Sequence, residues 1–171
     1  MLQIEGLTVR YDDLVAVDDV SLTVSTGETL AVLGASGSGK TTLLRAIAGL
    51  LTPDAGVITW DGADLRGIPA HRRRFGLVFQ DFALFPHLDV AGNVGFGLRV
   101  SGVAPSETHH RVDAALARVG LSGLGSRRIE ELSGGQAQRV ALARTLAPDP
   151  HMLLLDEPLG SLDPALRRDL G

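Results

Sequence analysis

The sequence predicts an α/β fold with a β-rich N-terminal region and a helical segment inserted into its core. Three observations predict it: apolar residues alternate within the first 24 positions, a glycine-rich loop separates an apolar run from a helical pattern within residues 29–50, and helical spacing dominates residues 81–140. We expect one domain over residues 1–171, in which 1–80 and 141–171 form the core and 81–140 form the helical subdomain.

The composition narrows the class of protein. A chain of 171 residues that is 44% hydrophobic can bury a sizeable core, and the absence of cysteine excludes disulfides and thiolate metal sites. The net charge of −4 argues against a general affinity for nucleic acid. No apolar run approaches the roughly 20 residues that cross a bilayer, and the N-terminus lacks a signal-peptide pattern. We therefore expect a cytosolic chain with no nucleic-acid partner.

The N-terminal strands are predicted from alternating apolar residues. The first set is spaced like an edge strand and the second alternates strictly: Leu2, Ile4, Leu7 and Val9, then Val20, Leu22 and Val24. Residues 29–33 form a short apolar run bounded by turn signals, which is typical of a strand buried on both faces. Further strands are expected at residues 57–60, 76–80 and 151–155, and together the early strands predict an antiparallel N-terminal subdomain.

The helices are predicted from apolar residues that recur every three or four positions. A first helix is expected at residues 41–50, where Pro53 marks its end. Helical spacing recurs at residues 91–100, 107–119 and 136–146.

The strongest motif is the glycine-rich loop at residues 34–41. It fits G-x-x-x-x-G-K-[ST] completely, with the residues Gly34, Ala35, Ser36, Gly37, Ser38, Gly39, Lys40 and Thr41. Glycines let the backbone amides turn inward toward phosphate oxygens, and the following helix presents its N-terminus to the same oxygens. Lys40 is the single lysine among sixteen basic residues, which indicates a position that needs a compact ammonium. We interpret the loop as a phosphate loop that binds a nucleoside triphosphate, with the Thr41 hydroxyl on Mg²⁺; a merely flexible glycine loop is the disfavoured alternative.

A second motif, Leu132-Ser133-Gly134-Gly135-Gln136, precedes the last predicted helix. Ser133 and Gln136 have the spacing of a capping box, which is a purely structural explanation. Two consecutive glycines in a first turn are unfavourable for a helix start alone. They indicate instead a helix terminus that binds an anion.

A third motif is an apolar strand that ends in two carboxylates. Residues 152–155 are apolar and lead into Asp156 and Glu157. An aspartate at the end of a buried strand can hold Mg²⁺ through water, and an adjacent glutamate can polarise an attacking water. In isolation the same pattern is also that of a strand entering an acidic turn.

With these motifs in this order, the chain resembles the nucleotide-binding subunit of an ABC transporter, along its whole length. The resemblance implies a phosphate-loop NTPase core and adds site residues. Tyr11 matches the residue that stacks on adenine, with Val17 beside it, and Thr42 extends the phosphate loop. Gln80 matches the glutamine of the Q-loop, which contacts Mg²⁺ and the attacking water, and Ser161-Leu162-Asp163 matches the D-loop.

The resemblance also implies the mechanism. Two subunits, expected to be identical, pair head to tail, so that ATP on one phosphate loop meets Ser133, Gly134, Gly135 and Gln136 of the partner. Glu157 is then the general base and Lys40 the charge stabiliser. The Mg²⁺ ligands are Thr41, Gln80 and Asp156. Such an ATPase works at the inner face of the plasma membrane with an integral membrane permease and, indirectly, a solute-binding protein.

The stretch around the Q-loop, residues 78–87, resembles the importer branch that serves polyamines, ferric iron, sulfate, thiamine or quaternary amines. Phe82, Leu84 and Phe85 form either an apolar groove for the permease or packing within the helical subdomain, and the sequence leaves both open. The solute itself is not readable from this chain.

The chain departs from the family after the D-loop. It stops at Gly171 without the further strand and histidine of the family, since its histidines lie at positions 71, 87, 109, 110 and 151. We expect a fragment of a longer protein. The alternatives are a module that binds ATP without turnover and a soluble cassette ATPase of DNA repair or translation. The importer-like Q-loop and the acidic charge balance disfavour the last of these.

Overall fold

The computed structural model describes residues 1–79 and 81–156, which fall into two compact units. One unit comprises Met1–Phe75 and the other begins at Gly76. Both units combine helices and strands, as the predicted α/β class requires.

The first unit contains a four-stranded sheet in which neighbouring strands are antiparallel. Its spatial order is β2-β1-β3-β4, with β1 (Leu2–Tyr11), β2 (Leu14–Val24), β3 (Ala55–Trp60) and β4 (Ala63–Asp64). The antiparallel arrangement predicted for the N-terminal strands is confirmed.

β1 is a central strand, so the prediction of an edge strand was wrong. Leu2 lies opposite Val24 on one side and Trp60 on the other. The apparent irregularity of its apolar spacing is a bulge: the register shifts between Ile4 and Leu7, and Gly6 adopts a φ of 59°. The extra residue moves the alternation from even to odd positions, which keeps the apolar side chains on one face. Those side chains, Leu2, Ile4, Leu7 and Val9, are all at most 2% exposed.

The buried strand predicted at residues 29–33 is not found. The segment has no strand conformation, and Leu33 is 91% exposed. A strand buried on both faces needs a hydrogen-bonded neighbour on each side. The sheet of the first unit includes no partner for this segment, so its apolar composition alone does not make it a strand.

Two helices belong to the first unit. α1 (Lys40–Ala48) buries Leu43 and Ile47 and ends at Gly49, whose φ is 78°. α2 (Ala70–Arg73) supplies Arg73, whose guanidinium donates to the Ala46 and Ile47 carbonyls at 3.1 and 2.8 Å. The last turn of α1 is thereby fixed by a side chain that lies 26 residues further along the chain.

The second unit contains a two-stranded sheet and a helical bundle. The strands are β5 (Phe75–Val78) and β6 (Met152–Leu155), and the helices are α3 (Val90–Val94), α4 (Phe96–Val100), α5 (Pro105–Arg118), a 3₁₀ turn (Ile129–Glu131) and α6 (Gly134–Leu146). α3, α5 and α6 pack on one another through buried apolar side chains such as Val94, Leu116 and Val140. Among the described residues, no helix is long and apolar enough to span a bilayer.

One predicted helix is divided in two. The pattern at residues 91–100 predicted a continuous helix, but Gly95 forms a turn residue between α3 and α4. The Gly95 amide still donates to Ala91, and the Arg99 amide donates to Gly95. Hydrogen bonds four residues apart therefore continue on both sides of the interruption.

Candidate nucleotide-binding site

The glycine-rich loop leads directly into α1. Residues 34–38 are exposed, and the Ser38 amide donates to the Ala35 carbonyl at 3.2 Å. α1 begins at Lys40 with no side-chain cap and with no acidic residue in its first turn. A helix terminus of this kind carries partial positive charge and presents amide donors to an anion. Of the predicted strand, loop and helix, the loop and the helix are present.

Gly39 is required by a close approach of β2. Its φ is 88°, and a Cβ atom at this position would lie 2.0 Å from the Ala16 carbonyl oxygen and 3.5 Å from Val17 Cγ2. No side chain fits in that space without movement of backbone. The sheet and the start of α1 therefore fix each other, and Val17 lies beside the phosphate loop.

Lys40 is directed back into the loop. Its ammonium Nζ donates to the Gly34 carbonyl at 2.9 Å and to the Ala35 carbonyl at 2.8 Å. One nitrogen atom serves two converging carbonyls, a geometry that suits a compact ammonium better than a planar guanidinium. The position of the single lysine thus has a structural reason at the loop itself.

The other predicted contacts of the first unit lie around this helix start. Thr41 and Thr42 are half-buried in the first turn of α1. Tyr11 ends β1, and 42% of its surface is exposed. This exposure permits the ring to stack on a ligand. The adenine contact of Tyr11 stays a prediction.

The second predicted motif forms the N-terminus of α6. Ser133 is the N-cap: its Oγ accepts from the Gln136 amide at 3.3 Å, and the Gln136 Oε1 accepts from the Ser133 amide at 3.0 Å. The capping box predicted from the sequence is therefore present. Because Ser133 Oγ accepts in this box, its hydroxyl hydrogen can still be donated to another group.

The two glycines of this motif have no explanation within the described chain. A Cβ atom on Gly134 or Gly135 would meet nothing within 4 Å, and neither residue has a positive φ. Both are exposed at the start of a helix, where alanine is favoured over glycine by up to about 1 kcal/mol. An approach from outside the described chain is the remaining physical reason for glycine here.

Asp156 lies at the edge where β5 and β6 both end. Its amide donates to the Val78 carbonyl at 3.1 Å, and the residue is only 5% exposed. A carboxylate immediately after a strand was predicted, and the structure confirms this location. Gln80, Glu157 and the D-loop residues 161–163 lie outside the described residues.

Sequence reasoning missed Asn93, which organises the chain after Gln80. The Asn93 Oδ1 accepts from the Phe85 amide at 2.8 Å. Its Nδ2 donates to the carbonyls of Phe85, Leu88 and Asp89 at 3.0, 3.2 and 3.0 Å. Asn93 is fully buried, so these bonds replace water for every polar atom of its amide.

Arg144 was missed as well. Its Nη1 donates to the Ala83 carbonyl at 2.7 Å and its Nη2 to the Phe82 carbonyl at 2.9 Å. Its guanidinium also lies 5.5 Å from the centre of the Phe85 ring. Burial lowers the pKa of Arg144, because the charged form loses water. No local sequence signal announces a contact between residues 61 positions apart.

These contacts decide part of the open question about the apolar residues near Gln80. The Phe85 ring lies 4.5 Å from that of Phe96, so Phe85 packs within the helical unit. Phe82 and Leu84 are half-buried, and a groove for another protein at these two residues stays a prediction.

The glycine-rich loop at the start of α1 is the motif typical of proteins that bind nucleoside triphosphates. Residues 17–160 match the family model described as ABC transporter. The chain belongs to this family.

Three relatives illustrate the family. An Fe(3+) ions import ATP-binding protein FbpC of Streptomyces coelicolor is 55% identical and a spermidine/putrescine import ATP-binding protein PotA of Pseudomonas aeruginosa is 51% identical, each over 99% of this chain. A sulfate/thiosulfate import ATP-binding protein CysA of Mycobacterium bovis is 54% identical over 95% of it. The matches cover 49%, 47% and 46% of these proteins, so the chain spans about half the length of the curated relatives it matches.

Solved structures agree in fold. The dimeric structure of MJ0796, described as a bacterial ABC transporter cassette, matches with a TM-score of 0.88 and 32% identity, over 99% of this chain and 79% of that one. The same cassette in a post-hydrolysis state with ADP and Pi matches with a TM-score of 0.88 and 31% identity, over the same shares. The fold is that of a phosphate-loop NTPase with a helical subdomain, as predicted.

Proposed function

We propose that this chain is the ATP-binding and ATP-hydrolysing part of a bacterial ABC importer. Two copies pair head to tail around two MgATP. Closure on ATP and reopening after hydrolysis move an attached membrane permease. A solute-binding protein delivers the solute to that permease. The chain then works in the cytoplasm, at the inner face of the plasma membrane.

The observation that carries the proposal is the pair of glycine-rich helix termini. The α1 terminus is shaped by contacts within its own unit: Gly39 lies against the Ala16 carbonyl, and Lys40 donates to the carbonyl of Gly34 in the loop. We infer that it binds phosphate. The α6 terminus exposes Ser133, Gly134 and Gly135, and no contact within the described part of the chain requires glycine at either position. In a head-to-tail dimer each ATP lies between one α1 terminus and the partner's α6 terminus, which gives both features a purpose. One relative of known structure, MJ0796, is described as a dimeric cassette.

Within this proposal each site residue has a role. Residues 34–42 bind the triphosphate, and Lys40 stabilises charge on the β- and γ-phosphates. Tyr11 stacks on adenine with Val17 beside it. Glu157 accepts a proton from the attacking water, which Gln80 orients. Ser133, Gly134, Gly135 and Gln136 contact the ATP of the partner.

The Mg²⁺ donors are an oxygen set. Mg²⁺ prefers oxygen ligands, which it takes from side chains together with phosphates and waters. Here the proposed side-chain ligands are the hydroxyl of Thr41, the amide oxygen of Gln80 and the carboxylate of Asp156. The buried position of Asp156 at a strand end supports this role. When bound, the ion neutralises charge on the phosphates during transfer.

Selection of the solute is proposed to lie elsewhere in the transporter. Relatives at 51 to 55% identity are named for iron, for spermidine and putrescine, and for sulfate and thiosulfate. Similar sequences over this part of the chain thus accompany three chemically unrelated cargoes. The permease and its binding protein are the parts that distinguish them.

The test is Mg²⁺-dependent ATP hydrolysis by the full-length protein isolated from its own cell. Glu157→Gln removes the base but keeps the shape of the side chain, so we expect kcat to fall by about 10²- to 10⁴-fold with ATP binding retained. Glu5→Gln, the same change at an exposed carboxylate of β1, is the control and should match the wild type. Full hydrolysis by the Glu157→Gln variant would show that Glu157 is not the base. ATP binding without hydrolysis by the wild type would instead identify a nucleotide-binding module without turnover.

A further inference from the structure

The segment that follows Gln80 has an unusual backbone. Phe82 and Ala83 are consecutive residues with φ values of 60° and 43°, although neither is a glycine. Residues with side chains disfavour this left-handed region, and two in succession need support from their surroundings. The local bonds, from the Phe82 amide to the Phe79 carbonyl and from the Ala83 amide to the Asp81 carbonyl, close the turn but do not involve the carbonyls of Phe82 and Ala83.

Arg144 supplies that support. One guanidinium binds the two carbonyls of the two left-handed residues, at 2.9 and 2.7 Å. Its planar fork offers two donors in a fixed relation, so it specifies the orientation of both peptide groups at once. The contact with the Phe85 ring adds a third point of attachment in the same segment.

The remainder of the segment is fixed from a second helix. Asn93 of α3 binds the Phe85 amide and carbonyl and the carbonyls of Leu88 and Asp89. Residues 85–89 are thus held by α3, whereas residues 82–83 are held by α6. Arg144 is the link between the start of the segment and the helix that begins at Ser133.

We propose that Arg144 is a positioning residue for ATP hydrolysis, which holds the chain two residues after Gln80 onto α6. This inference rests on the proposed function, in which Gln80 orients the attacking water. Arg144 lies roughly 16 Å along α6 from Ser133. It contacts no nucleotide; it fixes the backbone through which Gln80 is attached to the helical unit.

The test is Arg144→Lys in the full-length protein. Lysine keeps the positive charge but has a single donor nitrogen in place of the two that the guanidinium holds in a fixed relation. The orientation of the two carbonyls is then no longer specified, and the left-handed turn loses part of its support. We expect kcat to fall by about tenfold or more, because small displacements of groups around reacting atoms have effects of that size. The dissociation constant for a fluorescent ATP analogue should stay within roughly twofold, since the phosphate loop is untouched.

Arg111→Lys is the matched control. Arg111 lies on α5 and donates to the Glu107 carboxylate at 2.6 Å, away from residues 82–89 and from the start of α6. Its replacement should leave kcat near the wild-type value. Amide hydrogen exchange supplies a second measurement: residues 81–89 should exchange faster in Arg144→Lys but not in Arg111→Lys, with the α1 segment unchanged in both.

The outcomes separate the two proposals. An Arg144→Lys variant with wild-type kcat overturns the positioning role, and so does one in which nucleotide affinity and the unfolding midpoint fall together with kcat, since that is a structural effect. Failure of the wild-type protein itself to hydrolyse ATP overturns the proposed function. A drop in kcat with affinity and stability retained supports the inference.

Discussion

The helices α1 and α6 both begin at glycine-rich sequences, but the glycines serve different purposes. Gly39 of α1 has a φ of 88° and lies against the Ala16 carbonyl, where no side chain fits. Gly134 and Gly135 of α6 have open space around them and no positive φ. The α1 terminus has no side-chain cap, whereas Ser133 and Gln136 cap α6.

The difference indicates how each terminus is completed. The α1 terminus is shaped within its own unit, by the approach of Gly39 to Ala16. The α6 terminus is stabilised by its capping box, and its two glycines are explained only by the proposed contact with the partner's ATP. Substitutions at these positions should therefore affect stability and dimerisation in different ways.

The largest effect is expected for Gly39→Ala. The added methyl group meets the Ala16 carbonyl and the left-handed backbone is strained, so we expect a loss of about 3 kcal/mol in the free energy of unfolding. Gly37→Ala is the matched control for stability: its φ is 79° but its surroundings are open, so about 1 kcal/mol is expected. Urea unfolding curves measure both. Equal losses for the two variants would contradict the role given to the Ala16 contact.

The opposite behaviour is expected for Gly135→Ala. Alanine favours the helix, so the free energy of unfolding should rise by about 0.5–1 kcal/mol. We expect ATP-dependent dimerisation to weaken by about tenfold or more, because the methyl group occupies space that the partner's ATP needs. Sedimentation or size-exclusion chromatography with MgATP measures the dimerisation. Ala137→Gly, on the same helix, is the control, with lower stability and unchanged dimerisation. A stabilised Gly135→Ala variant that dimerises normally would remove the reason proposed for the glycines.

The smallest effect is expected for the cap itself. Ser133→Ala removes the acceptor for the Gln136 amide, which should lower stability by about 1 kcal/mol. Ser133→Asp keeps a capping oxygen and should recover that stability, but it brings negative charge toward the partner's triphosphate. We therefore expect thermal unfolding near the wild-type value together with impaired ATP-dependent dimerisation. If Ser133→Asp dimerises normally, Ser133 has a capping role only.

Local motifs predicted the start of α1, the cap of α6 and the place of Asp156, whereas periodicity misjudged two individual strands. The phosphate loop, the capping box and Asp156 at a strand end were all readable, since each depends on residues close together in sequence. The strand expected at residues 29–33 failed because a strand exists only with neighbours to bond. The irregular spacing of β1 was taken for an edge strand, when Gly6 marks a bulge in a central one.

Arg144 and Asn93 show a different limit. Asn93 acts on carbonyls within eight positions, but nothing in its neighbours distinguishes a buried amide from a polar helix face. Arg144 acts on residues about 60 positions earlier. Contacts of this kind depend on how helices pack, which local sequence patterns do not encode.

The central position of β1 has a consequence for the order of folding. β1 pairs with β2 as a local hairpin and with β3 across the chain, so the sheet closes residues 25–54 into one long loop. The phosphate loop lies within those residues. The β1–β2 hairpin is local and can form first. Pairing of β3 with β1 must in addition overcome the entropy cost of closing the loop. We therefore expect the phosphate loop to be fixed after the hairpin has formed, and a ligand bound there to stabilise the pairing of β1 with β3.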